Sequence, residues 1–321
     1  MLDIIITHYN EPWETGEKLF RMIGLQRCVD FNAFSVTVVN DGGNRLPEEK
    51  LEQLSYPVRQ VDIPHGGVSR ARNAGMDNTD QPWIMFCDFD DVFTNVYALK
   101  DILSVLPCEC DMLWSKLIVE DFLDGHELLY ISPDNQKTVF IHGKVYRRAF
   151  LKEQGIRFDE GMPFQEDSLF NAMIIARADY RRIGEIKAYT APYAWTRRQN
   201  SVTNSGRDAE AAYWHFRRNL IVTEEHRKNT DRYCGMITRT IYDTFYMING
   251  RKQKPELKIR VLTEFIPWLK AKKDYFGLVS DDYLRGIIDV SRYELLLPGE
   301  RLKDDTDTVR AWIDKITDGG E

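Results

Sequence analysis

Short apolar runs alternate with amphipathic stretches along the first 120 residues of the chain. The apolar runs are rich in β-branched residues and end in polar residues or glycine, which is typical of buried strands. They read "LDIIITHYN" (2–10), "FSVTVVNDGG" (34–43), "VRQVDIP" (58–64) and "WIMFCDFDD" (83–91). Helical spacing lies between them, as in "PWETGEKLFRMIGLQR" (12–27), "PEEKLEQLS" (47–55) and "GGVSRARNAGMDNT" (66–79). This order predicts an α/β fold whose central sheet is mostly parallel, with helices on both faces.

The remaining chain divides into a mixed part and a helical part. Residues 110–206 combine strand-like runs, such as "TVFIHGKVYRR" (138–148), with an amphipathic helix in "DSLFNAMIIARAD". From about Asp208, five segments show helical periodicity with aromatic anchors, and the fourth of them is "DYLRGIIDVSRYELL" (282–296). We therefore expect a helical C-terminal subdomain or appendage.

Composition and charge narrow the classes of protein to consider. The 321-residue chain is 43% hydrophobic and 29% charged, as is ordinary for a globular protein. Its formal charge of −7 gives no general electrostatic reason to bind nucleic acid, and the acidic excess lies in residues 1–206. We expect no signal peptide and no membrane span, because no apolar stretch approaches about 20 residues. Five scattered cysteines indicate reduced thiols rather than a zinc site, so we expect a cytoplasmic location.

Polar side chains follow three of the predicted strands at the point where each strand ends. Thr7 and Tyr9 end the first strand, Asp41 ends the second, and "DFDD" ends the fourth. Since ligands of such sheets bind outside the carboxyl ends of the strands, we expect these groups on one edge. A carboxylate and an aromatic ring can accept from the ring N–H of a pyrimidine and stack on its face. The alternative is a strand-to-turn junction capped by Asp41.

The glycine-rich segment "HGGVSRARNAG" (65–75) is a candidate phosphate site. A glycine turn that enters a helix bearing Arg70 and Arg72 suits a diphosphate, through amide donors and planar guanidinium groups. The segment is not a Walker loop, because the "GK[ST]" part is missing. The alternative is an exposed basic helix.

Three aspartates, Asp88, Asp90 and Asp91, lie within four positions after an apolar run. Like charges this close repel one another unless a cation or hydrogen-bond donors compensate. Oxygen ligands at a strand end suit Mg²⁺ or Mn²⁺, which would neutralise a leaving diphosphate. A phosphatase-type aspartyl nucleophile is a second hypothesis, and a solvated turn accounts for Asp91.

A fourth candidate is "FQEDSLF" (164–170), which begins the predicted amphipathic helix. Glu166 and Asp167 are adjacent there, and acidic residues are favoured at a helix N-terminus as caps. The functional alternative is a general base that removes a proton from an acceptor hydroxyl. The local sequence alone favours the cap.

Taken together and in this order, the segments resemble the family 2 glycosyltransferases of the GT-A fold. The matching pieces are "IIITHYN", "VTVVNDGG", "GGVSRARNAG", "IMFCDFDD", "HGKVYRR", "QEDSLF" and "YAWTRRQNSVTNS". The resemblance covers roughly residues 2–206 and does not extend to the C-terminal helices. It implies a Rossmann-like GT-A catalytic domain over 1–206, with a nucleotide-sugar-binding half (1–100) and an acceptor-side half (101–206). The helical subdomain would then occupy 207–321.

The resemblance also implies roles for the matching residues on the donor side. Those expected at the base or diphosphate are Thr7, Tyr9, Asp41, Arg70 and Asn73. "DFDD" looks like the family's DXD motif, with Asp88 on the ribose or metal side and Asp90 as a cation ligand. A late segment with Trp195, Arg197 and Ser201 resembles the part that closes over donor and diphosphate.

On the acceptor side, "QED" looks like the family's ED motif. This makes Asp167 the catalytic base of an inverting displacement, with Glu166 supporting the acceptor or the base. His142 either lines the acceptor side or is structural, and we favour the structural role. The chain departs from the family pattern at two points. Phe89 replaces a small residue inside the DXD motif, and "NDGG" lacks a serine often found after the aspartate. Both departures leave the sugar pocket unspecified.

The implied activity is transfer of a sugar from a nucleoside-diphosphate sugar, preferentially a UDP-sugar, with Mn²⁺ or Mg²⁺. The acceptor would be a hydroxyl of a surface or wall polysaccharide, with protein or nucleic acid as alternatives and nucleic acid disfavoured by the acidic charge. The C-terminal helices could provide an acceptor site, a homo-oligomer contact or peripheral attachment to the inner face of the membrane.

Three rival hypotheses explain less of the sequence. A haloacid-dehalogenase-like phosphatase would use Asp88 as nucleophile and Asp90 as acid/base, but it leaves "THYN", "NDGG" and "SRARNAG" unexplained. A sugar-1-phosphate nucleotidyltransferase needs a glycine-rich basic segment after the first strand, which is absent here. A binding module without activity is disfavoured because the DXD and ED carboxylates are both intact.

Overall fold

The computed structural model describes residues 1–123, 126–131, 139–188, 191–196, 208–249, 254–276 and 306–317. The chain forms two compact units, Met1–Asn204 and Ser205–Glu321.

A seven-stranded sheet forms the centre of the first unit. In spatial order its strands are β3 (Val58–Ile63), β2 (Phe34–Asp41), β1 (Leu2–His8), β4 (Trp83–Asp88), β9 (Lys144–Arg147), β6 (Met112–Trp114) and β10 (Ile183–Glu185). The four strands from β3 to β4 are parallel, and β10 is parallel to β6. Strand β9 runs antiparallel to both of its neighbours. The mostly parallel sheet predicted from the sequence is thus confirmed.

The same unit also contains a smaller sheet of four strands. Its strands are β5 (Val92–Phe93), β11 (Tyr193–Thr196), β7 (Leu117–Leu123) and β8 (His126–Ile131). Strands β11 and β7 are parallel, whereas the two outer pairings are antiparallel.

Helices cover both faces of the large sheet. They are α1 (Trp13–Gly24), α2 (Glu48–Leu51), α3 (Val68–Asp77), α4 (Ala98–Ser104), α5 (Arg148–Glu153) and α6 (Glu166–Arg177). Successive side chains of a strand point to opposite faces, and β1 shows this directly. Ile4 and Ile6 pack in one core with α1 and α4, whereas Ile5 packs in the other core with α3, α5 and α6.

One predicted strand is shorter than its apolar pattern suggests. The run at 138–148 was expected to be a strand, but only Lys144–Arg147 are paired in β9. Gly143 has a φ of 65°, and a Cβ there would lie 2.7 Å from Ser115 Oγ. The left-handed backbone at this glycine interrupts the extended chain just before β9.

The described part of the second unit is helical, as predicted. Its helices are α7 (Asp208–Glu225), α8 (Thr230–Asn249), α9 (Pro255–Lys270), α10 (Lys273–Phe276) and α11 (Thr306–Thr317). Phe216, Ile241, Phe265 and Val309 belong to its shared apolar core. The helix predicted at 282–296 lies outside the described residues. Among the described helices, none has both the length and the apolar character needed to cross a bilayer.

Candidate active site

The carboxyl ends of three neighbouring strands meet at one edge of the large sheet. Thr7 near the end of β1 is in register with Val39 of β2 and with Asp88 of β4. Asp41 is the last residue of β2 and is in register with Ile63 of β3. The pairing therefore brings the polar strand ends together, as parallel strands of one sheet require.

Asp41 fixes the glycine turn that leads into α3. Its side chain is buried, and its two carboxylate oxygens accept hydrogen bonds of 2.8 Å from the backbone N–H groups of Gly66 and Gly67. The imidazole Nδ1 of His65 lies 2.9 Å from Asp41 Oδ2. Gly67 has a φ of 89°, a conformation that L-residues with a Cβ rarely adopt. A contact from Asp41 to a nucleotide base stays a prediction.

Tyr9 forms an exposed aromatic pair with His65. The two rings are stacked, with centroids 4.3 Å apart and an angle of 21° between their planes. Tyr9 is 45% exposed, so its ring offers a flat surface at the sheet edge. Arg70 is exposed and its side chain lies over Gly66, where a Cβ would come within 2.2 Å of Arg70 Cδ. His65 was not singled out from the sequence, because a histidine after a proline carries no pattern of its own.

The side chain of Asn73, expected near the base or diphosphate, is tied to the segment before α6. Its Nδ2 donates to the Phe158 carbonyl and to Glu160 Oε1, both at 3.0 Å. Its Oδ1 accepts from the Phe158 N–H at 3.0 Å. Asn73 is 3% exposed, so these bonds attach α3 to residues 158–160. Its predicted contact with the donor stays a prediction.

Arg72 differs from the expectation that it and Arg70 together face a phosphate. Its guanidinium is buried, with Nη1 donating to Glu166 Oε1 at 2.9 Å and Nη2 donating to Asp88 Oδ1 at 3.0 Å. It also lies over the Phe158 ring, 5.3 Å from the centroid. The sequence does contain a signal for this, because positions three and four apart share a helix face. Ser69, Arg72, Asn73 and Met76 form the buried face of α3, which leaves Arg70 outside it.

The DXD turn is held by partners from distant segments. Asp88 is 30% exposed, and its Oδ2 lies 3.1 Å from His142 Nε2. Asp91 is 2% exposed, accepts a hydrogen bond of 2.8 Å from the Tyr193 hydroxyl, and lies 3.5 Å from His142 Nε2. The expectation that a solvated turn accounts for Asp91 is therefore wrong. Asp90 is half-buried on the same turn.

These contacts shift the pKa values of Asp88 and Asp91 in opposite directions. Burial alone would raise the pKa of Asp88, but Arg72 and His142 outweigh it and hold that pKa well below its usual range. Burial, with repulsion from Asp88 and Asp90, raises the pKa of Asp91 to about 7. Burial opposes protonation of His142, yet its hydrogen bond to Asp88 and the charge of Asp91 raise its pKa overall.

The described residues fit a divalent cation at this turn. Asp88, Asp91 and His142 each offer a ligand atom, and these atoms lie within 4.8 Å of one another. Carboxylate oxygens suit Mg²⁺ and Mn²⁺, and an imidazole nitrogen in the set favours Mn²⁺ of the two. The DXD assignment of Asp90 as a ligand stays a prediction.

Phe89, the large residue inside the DXD motif, points into the protein core. It is 3% exposed, and its ring lies 4.9 Å from the His8 ring and 6.0 Å from the Phe20 ring. Gly16 of α1 makes room for it, because a Cβ there would come within 2.4 Å of the ring. The departure from the family pattern therefore lies in the packing beneath the turn.

The ED pair occupies the first two positions of α6. Gln165 precedes it in a left-handed conformation (φ 67°, ψ 13°) and makes no side-chain capping bond. The Glu166 carboxylate is bonded to Arg72, and Asp167 Oδ1 accepts from the Ser168 N–H at 2.6 Å. Burial and the adjacent Asp167 charge raise the pKa of Glu166 to about 7. Burial also raises the pKa of Asp167, although Arg72 opposes it.

Lys144 and Trp195 also belong to this region. Lys144 is 1% exposed and donates to the Phe140 carbonyl, and burial lowers its pKa to about 7. Trp195 stacks on His142 with ring centroids 6.0 Å apart, which places the start of the late segment beside the DXD turn. Arg197 and Ser201 lie outside the described residues.

Part of the chain matches a known protein family. Residues 3–107 match the family model described as "Glycosyl transferase family 2". This match confirms the resemblance stated from the sequence, over the part of the chain that the family model covers.

The names of two relatives refer to polyol-phosphate polymers. The teichoic acid poly(glycerol phosphate) polymerase of Staphylococcus epidermidis is 27% identical over 180 residues, covering 50% of this chain and 24% of the polymerase. The poly(ribitol-phosphate) beta-N-acetylglucosaminyltransferase TarS of Staphylococcus aureus is 23% identical over 284 residues, covering 84% of this chain and 48% of TarS. The chain thus spans half or less of the length of these two relatives.

Solved structures share the fold. The crystal structure of S. aureus TarS 1–349 has a TM-score of 0.66 and 17% identity, with 94% of each chain covered. Its complex with UDP-GlcNAc has a TM-score of 0.62 at 18% identity, with 94% and 95% covered. The mannosyltransferase PcManGT of Pyrobaculum calidifontis, solved with GDP-Man and Mn²⁺, has a TM-score of 0.51 at 13% identity, with 92% and 87% covered. These likenesses confirm the GT-A fold.

Proposed function

We propose that this chain is a metal-dependent inverting glycosyltransferase that takes its sugar from a UDP-sugar. The observation that carries the proposal is the convergence of Asp88 and Glu166 on the two Nη atoms of Arg72, at 3.0 and 2.9 Å. The DXD turn and the ED pair, which are far apart in the sequence, are thereby adjacent at the carboxyl edge of the sheet. A donor-binding motif beside a candidate base is the arrangement that sugar transfer to a hydroxyl requires.

In the proposed reaction, Asp167 removes the proton from the acceptor hydroxyl. Burial raises its pKa, which makes it a stronger base than an exposed aspartate. The hydroxyl oxygen attacks the anomeric carbon on the face opposite to the diphosphate. The bond from that carbon to the diphosphate oxygen breaks, the electron pair leaves with the diphosphate, and the configuration inverts.

The cation site of this proposal is the DXD turn. Asp88 and Asp90 are the ligands that the resemblance implies, and Asp91 and His142 offer further ligand atoms next to Asp88. A divalent cation held there would offset the charge that develops on the leaving diphosphate. The likeness to PcManGT, which was solved with Mn²⁺, supports a metal-dependent mechanism.

The donor would lie along the ends of β1 and β2. Tyr9 would stack on the base, Thr7 and Asp41 would hydrogen-bond it, and Arg70 would approach the diphosphate. The TarS structures with UDP and with UDP-GlcNAc support a uridine donor. The likeness to an enzyme solved with GDP-Man makes the nucleotide a point for experiment.

For the acceptor, we propose a hydroxyl of a polyol-phosphate wall polymer. The support is that the names of the teichoic acid polymerase and of TarS refer to poly(glycerol phosphate) and poly(ribitol phosphate).

The first experiment is a melting-temperature panel of UDP-, GDP-, dTDP- and CDP-sugars, each with and without Mn²⁺. Selective stabilisation by UDP-sugars in the presence of Mn²⁺ is the expected result, because a ligand that binds only the folded state raises its melting temperature. Transfer to poly(ribitol phosphate) or poly(glycerol phosphate) is then measured with the stabilising donor. Absence of binding across the whole panel would contradict the proposal.

Two variants separate the proposed roles. Asp167→Asn should abolish transfer while donor binding persists, because the amide cannot take the proton. Asp90→Ala should weaken donor binding itself, because Asp90 would hold the cation that offsets the charge of the diphosphate. Equal loss of donor affinity in both variants would contradict this division of roles.

A further inference from the structure

Arg72 lies where the two carboxylate motifs of the candidate site meet. Each of its terminal nitrogens serves a different motif, with Nη1 on Glu166 and Nη2 on Asp88. Because the guanidinium is planar and its donors are at fixed angles, two such bonds hold the two carboxylates at a set separation. A lysine could not do this, since its single ammonium nitrogen cannot present two donors in a fork.

The guanidinium itself is held rigidly. Arg72 is 5% exposed and lies over the Phe158 ring. The next residue, Asn73, ties the same helix to Phe158 and Glu160, a few residues before α6. The ED pair is thus positioned from α3 by two adjacent side chains.

Arg72 also supplies permanent positive charge to a group of acids. The charged groups that face Asp167 are Glu166 on its own helix, Arg72 from α3, and His142 and Lys144 from the segment that enters β9. Of these cations, Lys144 has a pKa that burial lowers to about 7. Arg72 alone among them keeps its charge at every pH of interest.

We propose that Arg72 is a positioning residue for sugar transfer, which holds Glu166 and Asp88 at a fixed separation and thereby sets the position of the adjacent Asp167 relative to the DXD turn. The proposal rests on the proposed function. It differs from a phosphate-binding role, because both terminal nitrogens of Arg72 are already bonded to carboxylates.

The test compares Arg72→Met and Arg72→Lys in the full chain, with Arg157→Met as the matched control. Arg157 pairs with Asp77, the last residue of α3, at 2.7 Å, and it also donates to the Asn73 carbonyl, so its partners differ from the carboxylates that Arg72 joins. For each variant, kcat and the donor KM are measured across the pH range with Mn²⁺ present, and folding is checked by melting temperature.

We expect Arg72→Met to lower kcat at neutral pH by about 100-fold, the loss typical of a misplaced catalytic group. The acid limb of its kcat profile should move up by about one pH unit, because an opposite charge near Asp167 has been removed. Arg72→Lys should have the acid limb of the wild-type kcat profile but a lower kcat, since lysine restores the positive charge but not the two donors at fixed angles. Arg157→Met should match the wild type. A rise in donor KM with an unmoved acid limb would instead show a phosphate-binding role and overturn the proposal.

A second measurement requires no transfer. In Arg72→Met, the buried Glu166 loses its compensating charge, so adding Glu166→Gln should recover part of the lost melting temperature. The same Glu166→Gln change in the wild-type chain should bring no gain. If Glu166→Gln changed the melting temperature equally in the Arg72→Met and wild-type chains, the pairing of Arg72 with Glu166 would be overturned. If the wild-type chain transfers no sugar, the proposed function fails, while this comparison still decides whether Arg72 compensates the ED pair.

Discussion

The Phe89 ring offers a direct test of how the DXD turn is anchored. The ring is buried between the sheet and α1, against the rings of His8 and Phe20. Removing it in Phe89→Ala should lower the free energy of unfolding by about 3–5 kcal/mol, the usual cost of deleting a buried phenyl ring. The milder Phe89→Leu keeps most of the volume and should cost less than about 1.5 kcal/mol.

The substitution Gly16→Ala makes the test specific, because it should destabilise the wild type but not the Phe89→Ala variant. In the wild type, the Cβ of Gly16→Ala would lie 2.4 Å from the Phe89 ring, so overpacking should cost about 1–3 kcal/mol. In the Phe89→Ala background that contact is gone. Alanine is then the better helix former by about 1 kcal/mol, so the same substitution should be neutral or stabilising.

The assay is urea unfolding, monitored by circular dichroism, of the wild type, Phe89→Ala, Gly16→Ala and the double variant that combines them. Phe89→Leu is measured in the same way. The interaction free energy is the difference between the cost of Gly16→Ala in the two backgrounds. An equal cost in both would refute the packing of the ring on α1. An unfolding free energy within about 1 kcal/mol of the wild type in Phe89→Ala would refute its role as an anchor.

Three further predictions concern cation binding, binding of the nucleotide base, and the pH dependence of stability. Asp90→Asn should weaken Mn²⁺ binding, measured by electron paramagnetic resonance, by more than about tenfold. Asp91→Asn should change it less, because Asp91 is buried and already accepts from a tyrosine hydroxyl; the reverse order would place the cation at the buried aspartate. Tyr9→Ala should raise the Kd for UDP by about tenfold or more through lost stacking, whereas Tyr9→Phe should bind UDP like the wild type. Equal Kd values for Tyr9→Ala and the wild type would show that the nucleotide base does not stack on Tyr9. In the second unit, burial opposes the charge of Asp243, but its partners His215 and Arg239 lower its pKa below the ordinary aspartate value of 3.8. Folding therefore favours the ionised form, whose contribution is present above pH 3.8 and is lost as the pH falls further. Asp243→Asn should cost about 1.5–3 kcal/mol at pH 7, and the gap to wild type should close in acid; a gap that does not depend on pH would contradict this assignment.

The sequence predicts the first four strands well: β1, β2 and β4 are local apolar runs that are almost wholly buried, and β3 is a short run of the same kind that is only partly buried. It predicts a strand at 138–148 but not the position of β9, which inserts between β4 and β6 from a distant part of the chain. Pairing of this kind depends on contacts between segments that are far apart, and no local periodicity records it. The same limit applies to Asp91, whose partners Tyr193 and His142 come from elsewhere in the sequence.

The candidate site divides along similar lines. The placement of Asp88 and Asp41 at the ends of parallel strands follows from the strand pattern and the rule for sheet edges. The partners of Arg72 do not follow from local sequence, although the buried face of α3 could have separated it from Arg70. Whether a buried arginine meets phosphate or carboxylate depends on what the rest of the fold places opposite it.

The insertion of β9 also has a consequence for synthesis on the ribosome. Strands β1 to β4 leave the ribosome first and can pair in parallel with one another, but β4 then has one open edge. That edge carries Ile84 and Met85, whose later antiparallel partners are Tyr146 and Val145. Until about 60 more residues have been made, the nascent chain presents an apolar strand edge of the kind that recruits other unfinished chains. Cells that make this protein should therefore depend on chaperones during that interval, and a chain halted before residue 144 should aggregate.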